Sequence, residues 1–367
     1  MEKAGYDLIV VGGGPAGSAC AITAARAGAR VLLLEKDKFP RHKVCGEFVS
    51  PESLQLLEWL LGKRCFPDKP QIAHARVFSG RKTISLPIDP AAQSIARFEL
   101  DAALFHAVQS AGAQVLEEIT VREVQGGNLF SVKTADKSFS TRAVVNATGR
   151  WSELTQKPAI RKQEKWIGLK GHFQEKDPSP TVDLYFFDGG YCGVQPVSDR
   201  AVNACAMVRA DAARSLEEVF ARQPALMQRA QPWQPLFPPI TTSPLYFREP
   251  QTESGGMVLA GDAAAFIDPF AGDGISLALH SGTLAAECLE GFFQGRCSLE
   301  EATRQYDAAY RRQFEPAFRN AARLRMMLSA PPWIRSLLVS LAGTRPFSKA
   351  IVKRTRAKKS GDRVSRR

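Results

Sequence analysis

The hydrophobic positions of this chain change period along its length, and each change predicts a different element. Residues 6–36, YDLIVVGGGPAGSACAITAARAGARVLLLEK, pass from an apolar strand through a glycine turn into a helix and a second apolar strand, all within about thirty residues. Residues 257–279, MVLAGDAAAFIDPFAGDGISLAL, repeat that grammar: a short apolar strand, a Gly/Asp turn, a second glycine cluster and a helix. Between about 160 and 250 the period is that of strands. KWIGLKGHFQ, TVDLYFFDGGYCGVQPVSD and AVNACAMVRA read as successive antiparallel strands, with turns at Asp188-Gly189-Gly190 and Ser198-Asp199. A helical stretch follows from about 298 to 328. PPWIRSLLVSLAG then sets Trp333, Ile334, Leu337, Leu338 and Leu341 on one helical stripe.

A chain of 367 residues with 44% hydrophobic and 23% charged positions is long enough for a large buried core. Its seven cysteines are scattered and contain no CxxC pair, which argues against a disulfide framework and a structural zinc site. No Cys/His cluster has metal spacing, and no G-x-S-x-G elbow is present, so metal and acyl-transfer chemistry drop out. With no basic n-region ahead of an apolar segment and no spanning apolar run, the expected location is the cytoplasm. The net charge of +12 is concentrated at one end. Residues 345–367 hold ten Lys/Arg and one Asp, so the tail carries nine of the twelve charges, and the body is a poor nucleic-acid binder. An apolar stripe followed by a basic tail suits a helix lying on an anionic membrane at its inner face. A final helix capping the core, with a solvated tail, suits the same residues.

The first turn is Gly12-x-Gly14-x-x-Gly17, with Glu35 at the end of the second strand, 21 residues after Gly14. Gly12 permits the tight turn, Gly14 lets the backbone approach a pyrophosphate, and Gly17 lets the helix pack on the strand. Pro15 and Ala16 open that helix, whose free N–H groups and positive dipole end face the anion. Glu35 can accept from ribose hydroxyls, which makes this a dinucleotide site. At the return stretch, Gly261-Asp262 follows MVLA, and Pro269 to Ile275, with Gly272, Asp273 and Gly274, leads into a helix. A helix cap alone needs no second glycine cluster; N–H groups there suit the charged edge of a reduced flavin ring.

The combination of GGGPAG, Gly-Asp-Ala-Ala and Pro-x-x-Gly-x-Gly-Ile resembles flavoproteins built like p-hydroxybenzoate hydroxylase, and among them the geranylgeranyl reductase-like branch. The likeness covers residues 5–325. It implies a glutathione reductase-type Rossmann-like FAD domain (residues 1–70, 95–160 and 250–297) with an inserted antiparallel substrate sheet (71–94 and 161–249). C-terminal helices (298–345) and a basic tail (346–367) would complete the chain. FAD is the implied cofactor. Asp262 would bond the ribityl chain, Gly272 to Ile275 would lie at the ring, and Arg97 would open a helix beside the pyrophosphate. Lys36, Arg41, Thr148, Gly149 and Gly261 complete the implied cofactor contacts. Hydroxylases of this group carry Asp-Gly where this chain has Thr148-Gly149. Threonine keeps a hydroxyl and loses the charge, which leaves open whether NADPH or NADH docks transiently or a separate donor supplies electrons.

FPRHKVCGEFVSPESLQLLEWLLG (residues 39–62) follows the second strand, and Ser50, Pro51 and Glu52 are the expected start of its helix. Its Cys-Gly-Glu step is similar to the loop bordering the flavin in geranylgeranyl reductases and flavin halogenases. Cys45, beside Gly46, is the candidate catalytic residue: a thiol near Arg41 and Lys43 can act as proton donor or nucleophile. Packing of a small buried thiol is the other reading. Tyr185, Phe187, Tyr191 and Cys192 are the candidate walls of an apolar substrate pocket, while His172 reads as a structural histidine near that sheet. The expected activity is FAD-dependent oxidoreduction of a hydrophobic prenyl, polyketide or aromatic substrate. C=C reduction and hydroxylation are both open. Halogenation is disfavoured by the missing Trp-x-Trp-x-Ile-Pro signature, and a non-catalytic flavin-binding partner protein is the reading from outside enzymology.

Overall fold

The computed structural model describes residues 5–62, 66–80, 82–150, 154, 165–245, 247 and 249–328. In chain order the elements are β1 (Tyr6–Val11), α1 (Pro15–Arg26), β2 (Val31–Leu34), β3 (Phe48–Val49), α2 (Pro51–Leu61), β4 (Gln71–Ser79), β5 (Lys82–Ser94) and α3 (Arg97–Ser110). There follow β6 (Gln114–Leu116), β7 (Glu123–Gln125), β8 (Phe130–Lys133), β9 (Ser138–Asn146), β10 (Trp166–Gln174), β11 (Thr181–Phe187), β12 (Gly190–Ser198) and β13 (Ala201–Arg209). The last are α4 (Leu216–Ala221), α5 (Pro224–Ala230), β14 (Ile240–Leu245), β15 (Glu253–Ser254), β16 (Met257–Leu259), α6 (Gly274–Phe293) and α7 (Leu299–Leu328). The stripe at 333–341 and the basic tail lie outside the described residues.

The first sheet runs β15-β16-β9-β1-β2-β6, with the β7–β8 hairpin joined to β9. Its central strands are parallel: β1 pairs with both β2 and β9, and β16 pairs with β9. Such strands are covered on both faces and therefore read as unbroken apolar runs. Leu8 and Val10 of β1 face a core that α1, α2, α3, α6 and α7 close; Ile9 and Val11 face the other side, with Phe130 and Val132 of the hairpin. Helix α1 is alanine-rich on its buried side, so α6 comes very close. A Cβ placed on Gly282 of α6 would lie 2.0 Å from the Ala16 carbonyl oxygen. Tyr306, Tyr310 and Phe314 of α7 recur every four residues, which stacks all three on one face in the same core.

The second sheet runs β14-β10-β13-β12-β11-β4-β5-β3 and is antiparallel except at β11–β4. Because side chains alternate along each strand, this sheet has two unlike faces. One is apolar under α4 and α5, with Phe173, Tyr185, Val194, Ala204, Leu216, Phe220 and Trp233. The other looks toward the loop before β3 and the glycine cluster before α6. Among the described residues, no helix is long and apolar enough to cross a membrane.

Candidate functional site

Strand β1 ends in the glycine turn, and the turn leaves no room for larger residues. Gly12 has φ +104°, and a Cβ on Gly17 would sit 1.8 Å from the Gly12 carbonyl oxygen. Gly14 is the N-cap of α1 and offers no capping side chain; a Cβ there would meet only Arg97 Nη2, at 3.9 Å. The first N–H groups of α1 are thus left for an external acceptor, at the positive end of the helix. Gly13 N donates to Glu35 Oε2 at 2.6 Å and Asp37 N to Glu35 Oε1 at 3.0 Å, so the buried carboxylate holds the turn and its own loop together. Lys36, by contrast, is exposed at the rim.

Two arginines converge on this turn through a residue that sequence reading did not single out. Asp101, fully buried on α3, accepts from Arg97 Nε at 2.6 Å and Nη2 at 2.8 Å, and from Arg41 Nη1 at 2.6 Å. Arg41 also reaches Glu35 Oε2 at 3.3 Å. Burial works against the Arg97 charge, yet Asp101 and the Cys45 side chain beside it raise its pKa above the ordinary arginine value. The i,i+4 spacing of Arg97 and Asp101 on a helix is the signal that was available.

The second turn lies against the first. Gly261 has φ +61°, and a Cβ on it would come within 2.8 Å of the Ala16 Cβ at the start of α1. Asp262 sits in the single helical turn Gly261–Ala263, far from the start of α6, so it is not a cap for that helix. Arg150 reaches it at 3.7 Å and stacks over Phe266 at 4.0 Å. Asp268 caps a further turn, Pro269–Ala271, by accepting from Phe270 N at 3.1 Å, and buried Asp273 is the N-cap of α6. Gly272 (φ +71°) backs onto Phe48, and Gly274 and Gly46 have open space where a Cβ would stand. Ile275 points into the core. The Thr148 hydroxyl donates to Asn146 Oδ1 at 2.7 Å and its N–H to the same oxygen at 3.1 Å, which fixes the turn before Gly149.

The loop carrying Cys45 is clamped to the second sheet by a buried charged cluster. Glu47 is fully buried with φ +62°. Its Oε1 accepts from Lys170 Nζ and, at 2.7 Å, from Arg97 N; its Oε2 meets His172 Nε2 at 2.7 Å. Burial disfavours this carboxylate, but His172 and Lys170 pull its pKa below the ordinary glutamate value. Lys170 is itself fully buried and also donates to the Lys43 carbonyl at 3.1 Å, while Asn203 Nδ2 donates to the carbonyls of Cys45 and Gly46 at 3.1 and 2.9 Å. A lysine inside the otherwise apolar run WIGLKGHF was the visible signal, but its partner lies 123 residues away. Ser50 does start α2, though its hydroxyl pairs with that of Ser53 rather than capping an N–H.

The expected pocket wall needs correction. Tyr185 pairs with Cys192, and Tyr185, Phe187 and Cys192 belong to the core under α4 and α5, facing away from the Cys45 loop. Tyr191 is on the opposite face. There it pairs with Phe186 and, with that residue, packs on Phe270 of the glycine cluster, with ring centroids 5.8 and 5.2 Å from it. The physical reason is the two-residue strand period: Tyr185 and Phe187 share a face that Phe186 leaves. Burial, with Asp268 nearby, raises the Tyr191 pKa well above the ordinary phenol value. A cavity of about 340 Å³ opens on the other side of the loop, lined by His42, Phe98, His172 and Phe237 among others. Among the described residues no group of three or more His, Cys, Asp or Glu could hold a metal ion.

The residues present fit FAD. Open backbone at Gly14 beside Arg97, an uncapped helix start, a carboxylate at the end of β2 and a second glycine turn packed against the first are what a dinucleotide of two nucleotide halves needs. The family model described as FAD dependent oxidoreductase matches residues 7–46. The chain is 27% identical to the menaquinone reductase of Mycobacterium tuberculosis, over 89% of this chain and 85% of that one. It is 26% identical to a flavin-dependent halogenase of Armillaria mellea, over 81% of this chain and 69% of the other. Among solved structures, a geranylgeranyl bacteriochlorophyll reductase-like protein of Thermoplasma acidophilum superimposes with a TM-score of 0.81 at 21% identity, covering 95% of each chain. The chain is similar in sequence to FAD-dependent oxidoreductases and has the α/β fold of geranylgeranyl reductase-like and halogenase flavoproteins.

Proposed function

We propose that this enzyme reduces a hydrophobic small molecule of the prenyl-bearing kind, in the manner of the geranylgeranyl reductase-like branch. The observation that carries the reading is the packing of Phe270, from the cluster assigned to the flavin ring, into the apolar sheet face of Phe186 and Tyr191. An apolar substrate on that face would stand next to the ring.

Bound FAD would supply hydride exchange at its N5 position. The chain's own residues would do the rest. The α1 N-terminus and Arg97 hold the pyrophosphate, Glu35 the adenosine ribose and Asp262 the ribityl chain, while the N–H groups of Gly272 to Ile275 stabilise charge on the ring edge. Cys45, in partial contact with solvent and beside the Arg97 guanidinium, would serve as the proton donor to the substrate. With Thr148 holding Asn146 in place of an aspartate, NADPH or NADH docks only transiently.

Anaerobic mixing of the holoprotein with NADPH or NADH, followed by addition of prenylated quinones or lipids, tests this reading. Bleaching of the oxidised flavin and its recovery on adding an unsaturated apolar acceptor support it. Recovery that needs oxygen and yields a hydroxylated product would replace it with a hydroxylase. A flavin reduced by dithionite and by neither nicotinamide points to a separate donor. Cys45→Ala is expected to keep its FAD and lose turnover with the acceptor; undiminished turnover would assign the thiol to packing.

A further inference from the structure

Burying a charged Glu-Lys-His cluster costs several kcal/mol that apolar side chains of the same volume would avoid. Glu47 and Lys170 are fully enclosed, whereas His172 is not: one edge of its ring meets Glu47 Oε2 at 2.7 Å, and the ring also lines the 340 Å³ cavity. His172 thus touches Glu47, two residues from Cys45 in the loop, on one side and a cavity large enough to admit water on the other.

We infer that His172 takes up a proton from the cavity when the bound cofactor is reduced, offsetting the negative charge that reduction adds to the site. The inference rests on the FAD reading above. Two electrons pass from the donor to the cofactor; a solvent proton enters through the cavity and binds His172 Nδ1, giving an imidazolium paired with the Glu47 carboxylate. Reoxidation returns that proton to the cavity. Lys170 offsets the Glu47 charge, so a proton gained by His172 adds one positive charge to the cluster.

The charged and titratable groups around His172 leave it the favoured acceptor. His42, whose ring stands edge to face with it at 5.6 Å, lies between Phe98 and Phe237 at 4.8 and 3.9 Å; burial, and then the charges of Lys170 and His172, lower its pKa. Arg97 is engaged by Asp101, and Lys69 by Glu99, at the far wall of the cavity. Cys205, opposite Lys170 across β10 and β13, is a half-buried thiol pushed up to about 12, chiefly by desolvation. Glu47 alone places an unshared carboxylate oxygen against the ring.

The test is a redox titration of bound FAD at successive pH values between about 5 and 8, the range in which an imidazole ordinarily changes charge, with free FAD as the reference. The wild-type protein is expected to take up more protons per two electrons than free FAD, and His172→Asn to lose that excess while keeping its FAD. The double variant Glu47→Gln with Lys170→Met, which removes the carboxylate without stranding the lysine, is expected to lose it as well. A wild-type proton count equal to that of free FAD, or an unchanged excess in either variant, overturns the inference. A protein that binds no FAD instead overturns the functional reading beneath it.

Discussion

At the scale of residues, the site depends on pairs that join distant parts of the chain. Asp101 is the clearest. Replacing it with Asn leaves Arg41 and Arg97 partly buried without their shared carboxylate, and breaking such a pair costs about 3–5 kcal/mol. The expected outcome for Asp101→Asn is a lower unfolding free energy and an FAD dissociation constant raised by about tenfold or more, read by flavin fluorescence quenching; unchanged affinity would remove Arg97 from the pyrophosphate site. Glu47 gives a pH prediction. Its folded pKa is depressed below the ordinary 4.5, first against burial and then through His172 and Lys170, so its contribution is complete above about pH 4.5. That contribution is lost as pH falls through the depressed value. The double variant Glu47→Gln with Lys170→Met should therefore show a shallower loss of stability below about pH 4.5 than wild type in acid denaturation. An identical acid limb would mean that Glu47 is not the titrating group. The glycine turn and Glu35 were legible in the sequence because their spacing is local. Asp101 and the Glu47–Lys170–His172 cluster were not, because each is completed by a residue from another element.

At the scale of elements, what the sequence leaves open is strand parity. TVDLYFFDGGYCG announces two strands and a turn, and β11 and β12 are there, but a run of three aromatics does not say which face each takes. Register decides it: Phe186 faces Tyr191, and Tyr185 faces Cys192. Substitutions should separate the two faces. Tyr185→Ala, in the core under α4 and α5, is expected to cost about 3–5 kcal/mol in urea unfolding and leave substrate KM unchanged. Tyr191→Ala should raise KM for an apolar acceptor; an effect of Tyr185→Ala on KM alone would reverse the assignment of faces. The close crossing of α1 and α6 makes a second point. Gly282→Ala puts a methyl 2.0 Å from the Ala16 carbonyl oxygen, and because Ala16 also touches Gly261, the helix shift should loosen both cofactor turns together. A destabilisation of about 1–3 kcal/mol with weakened FAD binding is expected, checked by denaturant titration and flavin content.

At the scale of the whole molecule, two sheets with different coverings meet along one loop. The parallel sheet supplies both glycine turns, the antiparallel sheet supplies the Phe186–Tyr191 face, and the segment from His42 to Glu47 is fastened to both through Arg97, Lys170 and Asn203. That arrangement suits a second glycine turn some 240 residues after the first: the two stand side by side, as one shared ligand would require. The measurement that bears most directly on this account is the number of FAD molecules per chain after purification and reconstitution, read from flavin absorbance, with thermal unfolding recorded with and without excess FAD. One FAD per chain, and a stabilisation of about 2.7 kcal/mol at a hundredfold excess over the dissociation constant, is the predicted result. A chain that stays folded, retains no flavin and gains no stability from FAD would contradict it.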